Sequence, residues 1–344
     1  MKMIISIVRT RTVDIAETTS ASMVRAFITR LINIPLMLVA KYAEILLKAR
    51  QTRSRMEAVL IANVSAALKS AGAAGFKIRK EGGLLLIEAS GEERLVAPLA
   101  HVFGINSVSI CSQVPADAPS ICRECVSTAR AFPAGSSFAV RARRAGEHPF
   151  TSQQLAAECG AMVLGAFPEK NLKVNLSSPD SEIFVDARPK AALVSSKIFQ
   201  GPGGLPVGSQ GTAVCLADGS FNSLLAAWLV AKRGLRPIFL VRKGNGNAAT
   251  DALAPWLPGM EMEIHSSGQP ASKRQMLETA CSLAQETGAN CVVAGDVFSD
   301  ISAEGVLRSL DTGLPVPVFR PLVGFSDEML ARYIARAGFG GKAV

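Results

Sequence analysis

The chain has 344 residues, 49% of them hydrophobic, with a formal charge of +9 and a pI near 9.4. That length fills two or three domains with apolar cores, which excludes disorder as the default, and the positive balance selects a polyanion as partner, nucleic acid ahead of an anionic membrane surface. Seven cysteines, an odd number in a large chain with no clear secretory signal, argue against a disulfide framework and for the cytoplasm.

The first 36 residues contain Arg and are rich in Ser and Thr, as targeting segments are, yet they carry Asp14 and Glu17 and no clear small-residue cleavage site. An extension of uncertain status ahead of Met37 is the alternative. The apolar run from Ile32 to Ala40 is far shorter than the roughly 20 residues a membrane-crossing helix needs, so no membrane span is expected. From Leu38 the pattern reads strand, helix, strand, strand, helix, strand. Met56, Val59, Leu60, Val64 and Leu68 fall on one face of a helix over 52–71, closed by Ser70, Ala71 and Gly72. Short strands over 76–78 and 84–87 flank Glu81, Gly82 and Gly83, a hairpin signal. Residues 37–112 thus predict a small α+β module of ferredoxin-like order, whose two half-units bury one face of an antiparallel sheet.

A second module is expected over 113–200: a helix near 120–131, a strand over 137–142, a helix over 152–164, and short strands over 173–176 and 182–187. Cys122 and Cys125 form a lone C-x-x-C with no second pair or nearby His, which reads as two thiols one helical turn apart rather than a metal site; no metal ligand is assigned. Arg141 and Arg143 alternate on one strand face, and Arg144 adds a third guanidinium beside His148. Guanidinium groups grip phosphate with paired hydrogen bonds, although a solvated edge strand would show the same charges. Lys48, Arg50, Arg53 and Arg55 in the preceding module tip the balance toward RNA. With 6% aromatic residues, recognition of shape and phosphate is expected over base stacking.

Residues 200–209 are dense in Gly and Pro and read as a linker or fixed loop, with a domain boundary at 201. Beyond it the rhythm changes. Strands over 212–216, 238–241, 260–264 and 291–293 alternate with helices over 223–232 and 273–285, which implies a parallel sheet covered on both faces. Ligands of such sheets lie outside the carboxyl ends of the strands, and the loop from Ala217 to Ser223 opens a helix there, where free amides and the helix dipole favour an anion. Cys215, Cys281 and Cys291 lie in apolar patterns and read as small core residues.

Three segments resemble the tRNA 4-thiouridine synthetases, the tRNA sulfurtransferases of thiamine-biosynthesis type. The first is Tyr42-Ala-Glu-Ile-Leu-Leu-Lys48 with Arg53 and Met56. The second runs from Phe103-Gly-Ile-Asn-Ser107 through Ser137–Arg144 and Pro179-Asp180 to Gly201–Gly208, and is similar to the family's THUMP domain and the loop leading out of it. The third is Arg320-Pro-Leu322 after Gly295, as in the family's adenylating domain. The resemblance implies a multidomain α/β and α+β chain: an extension over 1–36, a ferredoxin-like domain over 37–112, a THUMP domain over 113–200, and over 201–344 a parallel-sheet α/β domain of adenine-nucleotide hydrolase type with a PP-loop, degenerate and truncated, with no rhodanese-like domain following.

It also implies tRNA as partner, ATP and Mg2+ as cofactors, and transfer of sulfur to an adenylated uridine. Lys48, Arg50, Arg53, Arg141, Arg143 and Arg144 are the RNA-binding candidates. The nucleotide-binding positions implied are Leu216, Ala217, Asp218, Gly219, Ser220, Phe221, Asn222, Ser223, Lys273, Gly295 and Glu304. Against the family's S-G-G-F-D-S, this loop has Asp218 for a serine, Ser220 for a glycine and Asn222 for the aspartate. Lys273 and Arg274 match the family's K-R-x-M, Asp296 stands for a glutamate, and Glu304 for a glutamine that contacts nucleotide. The C-x-x-C of archaeal-type relatives is replaced by Gln269 and Ser272, and a further family cysteine falls beyond Val344, so no catalytic residue is assigned. Three readings follow: an ATP-dependent tRNA sulfurtransferase served by a sulfur donor protein; a non-catalytic tRNA-binding scaffold or partner of an active paralogous subunit, with a homodimer open; and a decayed product that folds poorly.

Overall fold

A computed structural model of the chain describes residues 36–242, 251–268, 272–303 and 305–339; the expected extension, apart from Leu36, and Glu304 lie outside the described residues. The first strand, β1, is Leu36–Lys41. The helix expected over 52–71 is α1, Arg50–Ser70, and the hairpin is β2, Lys77–Glu81, with β3, Leu84–Glu88, paired antiparallel. Helix α2, Glu92–Ala100, leads to β4, Ser107–Val114. The next module supplies α3, Ala118–Ala129; β5, Ser137–Arg144; α4, Ser152–Ala166; β6, Lys173–Val174; β7, Ser181–Ala187; and β8, Ala192–Ser195. After β9, Phe199–Gln200, the α/β part brings β10, Thr212–Ala217; α5, Phe221–Lys232; β11, Arg236–Arg242; β12, Glu263–Ser267; α6, Lys273–Thr287; β13, Cys291–Val293; α7, Phe298–Ile301; α8, Val306–Asp311; β14, Val318–Phe319; and α9, Asp327–Arg336.

The chain divides into two compact units, and one of them takes in residues 109–198. There β8 pairs antiparallel with β4 and with β7, while β7 and β6 both run parallel to β5. Helices α3 and α4 cover this sheet with Ile121, Cys122, Cys125, Leu155, Cys159 and Val163 packed on Phe138, Ile183 and Val185. Both helices start at caps that the sequence supplies: Asp117 accepts the amide of Ser120, and Thr151 and Gln154 form a reciprocal capping box. The C-x-x-C thiols are fully buried, and Cys122 lies 2.9 Å from the thiol of Cys159. Burial first, and then the neighbouring thiol, push the Cys122 thiol well above its ordinary value.

The other unit joins residues 40–108 to 199–339 of the described chain. In its first part Glu57, buried on α1, accepts hydrogen bonds from Tyr42 Oη and Lys80 Nζ, both at 2.9 Å, so the tyrosine of the opening motif is a strut between the end of β1, α1 and the hairpin. Tyr42→Phe, which leaves a Glu57 oxygen short of one donor, is expected to cost about 1–2 kcal/mol in urea unfolding, and a loss below a few tenths would remove that role.

The Gly/Pro segment after β9 is a buried strap. Gly201 donates to the carbonyl of Asn106 at 2.8 Å, Gly203 to Ile105 at 2.8 Å, and Leu205 to Lys232 at 2.9 Å, while Asn63 Nδ2 donates to the Val207 carbonyl at 3.1 Å. Gly204 has φ +79°, and a Cβ there would overlap the Lys232 carbonyl oxygen, whereas Gly208 has φ +86° with open space around it. Gly204→Ala should therefore cost about 1–3 kcal/mol beyond the backbone strain that Gly208→Ala shares, seen as a larger drop in thermal midpoint; equal drops would refute close packing.

Five parallel strands in the order β12-β11-β10-β13-β14 form the second sheet. Strand β12 begins three residues later than the expected 260–264. The turn at Gly259, with φ +70°, and the packing of Met260 and Met262 against the core use those apolar residues outside the ladder. Two cores cover the sheet: α5 packs Leu225 and Trp228 on Cys215, Phe239 and Val293, and α6 packs Leu277, Ala280 and Cys281 on Val214, Ile238 and Val292. The three cysteines of this region are thus core residues.

Candidate nucleotide loop and RNA-binding surface

The strand order places β10 between β11, which follows it, and β13, which comes later, so the end of β10 is the point where successive connections turn to opposite sides of the sheet. Leu216 and Ala217 end β10, Asp218, Gly219 and Ser220 form the loop, and Phe221, Asn222 and Ser223 start α5. Gly219 takes φ +93°, the left-handed turn that glycine allows. Gly295, just past β13, comes to the same place: a Cβ on it would stand 2.6 Å from the Ser223 amide nitrogen and 2.7 Å from the Asn222 carbonyl carbon.

Two amide donors of this loop, those of Ser220 and Ser223, are already engaged. Asp218 Oδ1 accepts the amide of Ser220 at 2.9 Å and its hydroxyl at 2.7 Å. Ser220 is the N-cap of α5, and its Oγ accepts the amide of Ser223 at 3.1 Å, while the Ser223 hydroxyl donates to the Ser220 carbonyl at 2.8 Å. Desolvation works to raise the Asp218 carboxyl, but the hydrogen bonds from Ser220 and Ser223 prevail and hold it below the usual carboxylate value. Two amides at the start of α5 that would face an anion therefore face side chains of the loop itself. The carboxamide of Asn222, half-buried, has no hydrogen-bond partner among the described residues.

Lys273 opens α6 and forms an ion pair with Asp296, the residue after Gly295. Asp296 is buried and also accepts Arg320 Nε at 2.8 Å. Arg320 in turn makes a two-pronged pair with Asp311, at 2.8 and 2.7 Å. Burial opposes the charge on Arg320, and its bonds to Asp311 and Asp296 overcome this and raise its pKa. The sequence puts Arg320 and the Gly295 loop in one family-like segment but does not reveal this network, because the 24-residue separation of Asp296 and Arg320 carries no periodic signal. Arg274, matched to the same motif as Lys273, has a different role: its Nη1 donates to the carbonyls of Leu310 and Thr312 at the end of α8, at 2.8 and 2.7 Å, and its Nε pairs with Glu278.

In the other unit, Arg141 Nε donates to Glu182 at 2.8 Å and its Nη2 to the Leu176 carbonyl at 2.7 Å, and Arg143 pairs with Asp186, its cross-strand neighbour on β7. Arg144 is exposed and pairs with no described residue. Lys48 and Arg50 are exposed at the start of α1, a helix with no side-chain cap and no acidic residue in its first turn, while Arg53 is half-buried near Glu57. Arg50, Gln51, Ser54 and Arg55 line a shallow cleft of about 590 Å³ there. Placing three arginines near a helix N-terminus is unfavourable for the helix dipole and favourable for an incoming anion. Among the described residues, no helix is long and apolar enough to cross a membrane, and no group of three or more His, Cys, Asp or Glu could hold a metal ion.

The parallel sheet, its loop at the switch point and the α+β modules ahead of it define a protein of the PP-loop α/β class with amino-terminal accessory domains. Residues 37–109 match the ThiI ferredoxin-like domain, 116–197 the THUMP domain, and 270–338 the thiamine biosynthesis protein (ThiI). A probable tRNA sulfurtransferase of Methanosarcina acetivorans is 30% identical over 339 residues, covering 88% of this chain and 81% of that protein. One from Saccharolobus solfataricus is 30% identical over 332 residues, covering 88% and 86%. A crystal structure of a Pyrococcus horikoshii protein superposes with a TM-score of 0.75 at 26% identity, covering 88% of this chain and 99% of that one. A 4-thiouridine synthetase in complex with RNA and ATP has the same fold, with a TM-score of 0.72 at 23% identity, covering 88% and 85%. The chain belongs to the tRNA sulfurtransferase family.

Proposed function

We propose that this chain is a cytoplasmic tRNA-binding member of the family, with ferredoxin-like (37–112) and THUMP (113–200) domains that hold the RNA and a PP-loop domain (201–344) that binds ATP poorly. Its relatives are named for sulfur transfer to tRNA, and one structural neighbour holds both RNA and ATP. The carrying observation is Asp218: its carboxylate takes the Ser220 amide and hydroxyl, and Ser220 takes the Ser223 amide, so the residues present do not fit a pyrophosphate. Asn222 adds no charge toward a magnesium ion. Titration with ATP and Mg2+ should show no saturable binding up to millimolar nucleotide, and micromolar binding would overturn the reading.

The RNA half rests on Arg144, Arg50 and Lys48, exposed on a basic chain, with Arg141 and Arg143 presented beside their carboxylate partners. In gel-shift titrations of a tRNA transcript, Arg144→Ala is expected to weaken binding uniformly and lower the salt slope by about one unit; Arg141 and Arg143, which must exchange Glu182 and Asp186 for phosphate, should contribute less each. An unchanged slope for the triple variant would remove this surface from the interface. The second reading, an active sulfurtransferase, is favoured by Gly295 and Lys273 remaining around the loop; thiouridine formed in tRNA with ATP, Mg2+ and a sulfur donor would establish it.

A further inference from the structure

The seven cysteines are spread unevenly over the fold. Cys215 and Cys291 sit on neighbouring strands but two residues out of register, Cys281 donates to the Val316 carbonyl from α6, and Cys111 lies beside the Ser109 hydroxyl on β4. The remaining three meet. Cys122 and Cys125, one turn apart on α3, face Cys159 on α4 inside the core of residues 109–198. The sulfurs of Cys122 and Cys159 are 2.9 Å apart, and the Cys159 thiol is also hydrogen-bonded to Cys125.

Packing alone does not require this arrangement, since any small apolar side chain would fill the same space. Thiols in contact do more. The sulfurs of Cys122 and Cys159 stand only about 0.9 Å beyond the bonded sulfur–sulfur distance of about 2.05 Å. Both helices are capped at their starts and bury the faces that carry these thiols, so the two sulfurs are held in this approach.

We infer that Cys122 and Cys159 are a modification site, a dithiol that an oxidant of the low-molecular-weight disulfide class converts to a disulfide joining α3 to α4. The reaction needs the unit to open. In the closed unit all three thiols are fully buried; burial raises the Cys122 thiol, and the Cys125 hydrogen bond followed by burial raises that of Cys159. Both are therefore protonated at neutral pH, and a protonated thiol is a poor nucleophile. Once the unit opens, one thiolate attacks the small disulfide, whose sulfur–sulfur bond breaks to give a mixed disulfide and one departing small thiolate. The second protein thiolate attacks the protein sulfur of that mixed disulfide, and the other small thiolate departs. Two cysteines are oxidised, one small disulfide is reduced, and the two thiol protons end on the two departing thiolates. Reclosing then shields the new bond, which ties together the two helices that cover the sheet carrying Arg141, Arg143 and Arg144. A lone bridge of this kind differs from the disulfide frameworks of secreted domains; in reducing compartments such bridges form transiently, in response to redox change. The inference stands whether or not the chain binds tRNA or ATP.

The test incubates the full chain with oxidised glutathione in urea below the unfolding midpoint, returns it to buffer, and digests it without reduction. The expected product is a peptide pair joined through Cys122 and Cys159, with two of the seven thiols lost from a count in denaturant and no dimer on a non-reducing gel. The bridged chain should be cleaved between residues 109 and 198 about 10-fold more slowly than the reduced chain, because a bridge across a loop of this size disfavours opening. Cys125→Ala should leave the bridge in place, and Cys159→Val should abolish it. If the valine variant fails to fold, the linkage map and the proteolysis of the unaltered chain decide by themselves. Retention of all seven thiols, a bond from Cys159 to Cys125 instead, a bond between two chains, or equal cleavage of the bridged and reduced chains would each overturn the inference.

Discussion

Arg320→Ala is expected to destabilise the full chain by about 3–5 kcal/mol, read as a lower urea midpoint at unchanged slope. Its guanidinium is 7% exposed and holds two carboxylates, Asp296 through Nε and Asp311 through both terminal nitrogens. Removing it leaves Asp296, itself buried, with Lys273 as its remaining ion-pair partner. A buried carboxylate stripped of one of its two cations and left with a hydrogen-bond-deficient oxygen costs more than the net worth of the pair it came from. For the same reason, Arg320→Met combined with Asp296→Leu should recover most of the loss, and the double-mutant cycle should show coupling of about 2 kcal/mol or more. A single-variant loss under about 1 kcal/mol would mean that water reaches the network and screens it. The network joins the loop after β13 to β14 and α8, so its failure should also loosen the packing of Gly295 on the start of α5.

Why some of this was legible in the sequence and some was not follows from the range of each interaction. Helix α1 was visible because Met56, Leu60, Val64 and Leu68 repeat at helical spacing and are the side chains it buries. The parallel sheet was visible because β10, β11 and β13 are near-continuous apolar runs between helices. Strand β12 was displaced because the apolar Met260 and Met262 serve packing rather than pairing, and alternation alone cannot separate the two uses. The Gly/Pro segment was readable as fixed or flexible; its partners Ile105, Lys232 and Asn63 are remote in sequence, so only the fold decides. At the loop, sequence identified the odd residue, Asp218, through the family resemblance. It could not show that the carboxylate turns inward onto the Ser220 amide instead of outward against a ligand. Arg141 and Arg143 look free in sequence because Glu182 and Asp186 come about 40 residues later, on the neighbouring strand.

Combining Asp218→Ser, Ser220→Gly and Asn222→Asp is expected to tighten binding of ATP with Mg2+ by between about 5-fold and 1,000-fold in calorimetric titration. The range is the repulsion removed: two unit charges about 4 Å apart cost roughly 1–4 kcal/mol at effective dielectric constants of about 80 to 20. Three effects act together. Loss of the Asp218 carboxylate removes the charge and releases the Ser220 amide; glycine at 220 removes the Oγ that holds the Ser223 amide, at a capping cost of only a few tenths of a kcal/mol; and aspartate at 222 restores a charge for the metal. Titration of Asp218 does not offer an alternative at neutral pH. Its folded pKa is depressed, so the ionised form contributes stability above the unfolded carboxylate value and loses it only as pH falls through the lower folded value; the carboxylate therefore stays charged and in place under cellular conditions. Asp218→Ser alone should supply most of the gain, with Asn222→Asp adding a metal-dependent part that disappears in EDTA. A triple variant no better than its parent, with the fold intact by thermal unfolding, would show that the defect lies beyond the loop. The parent sequence would then be unfit for ATP through the surrounding residues as well, and the scaffold reading would no longer depend on Asp218.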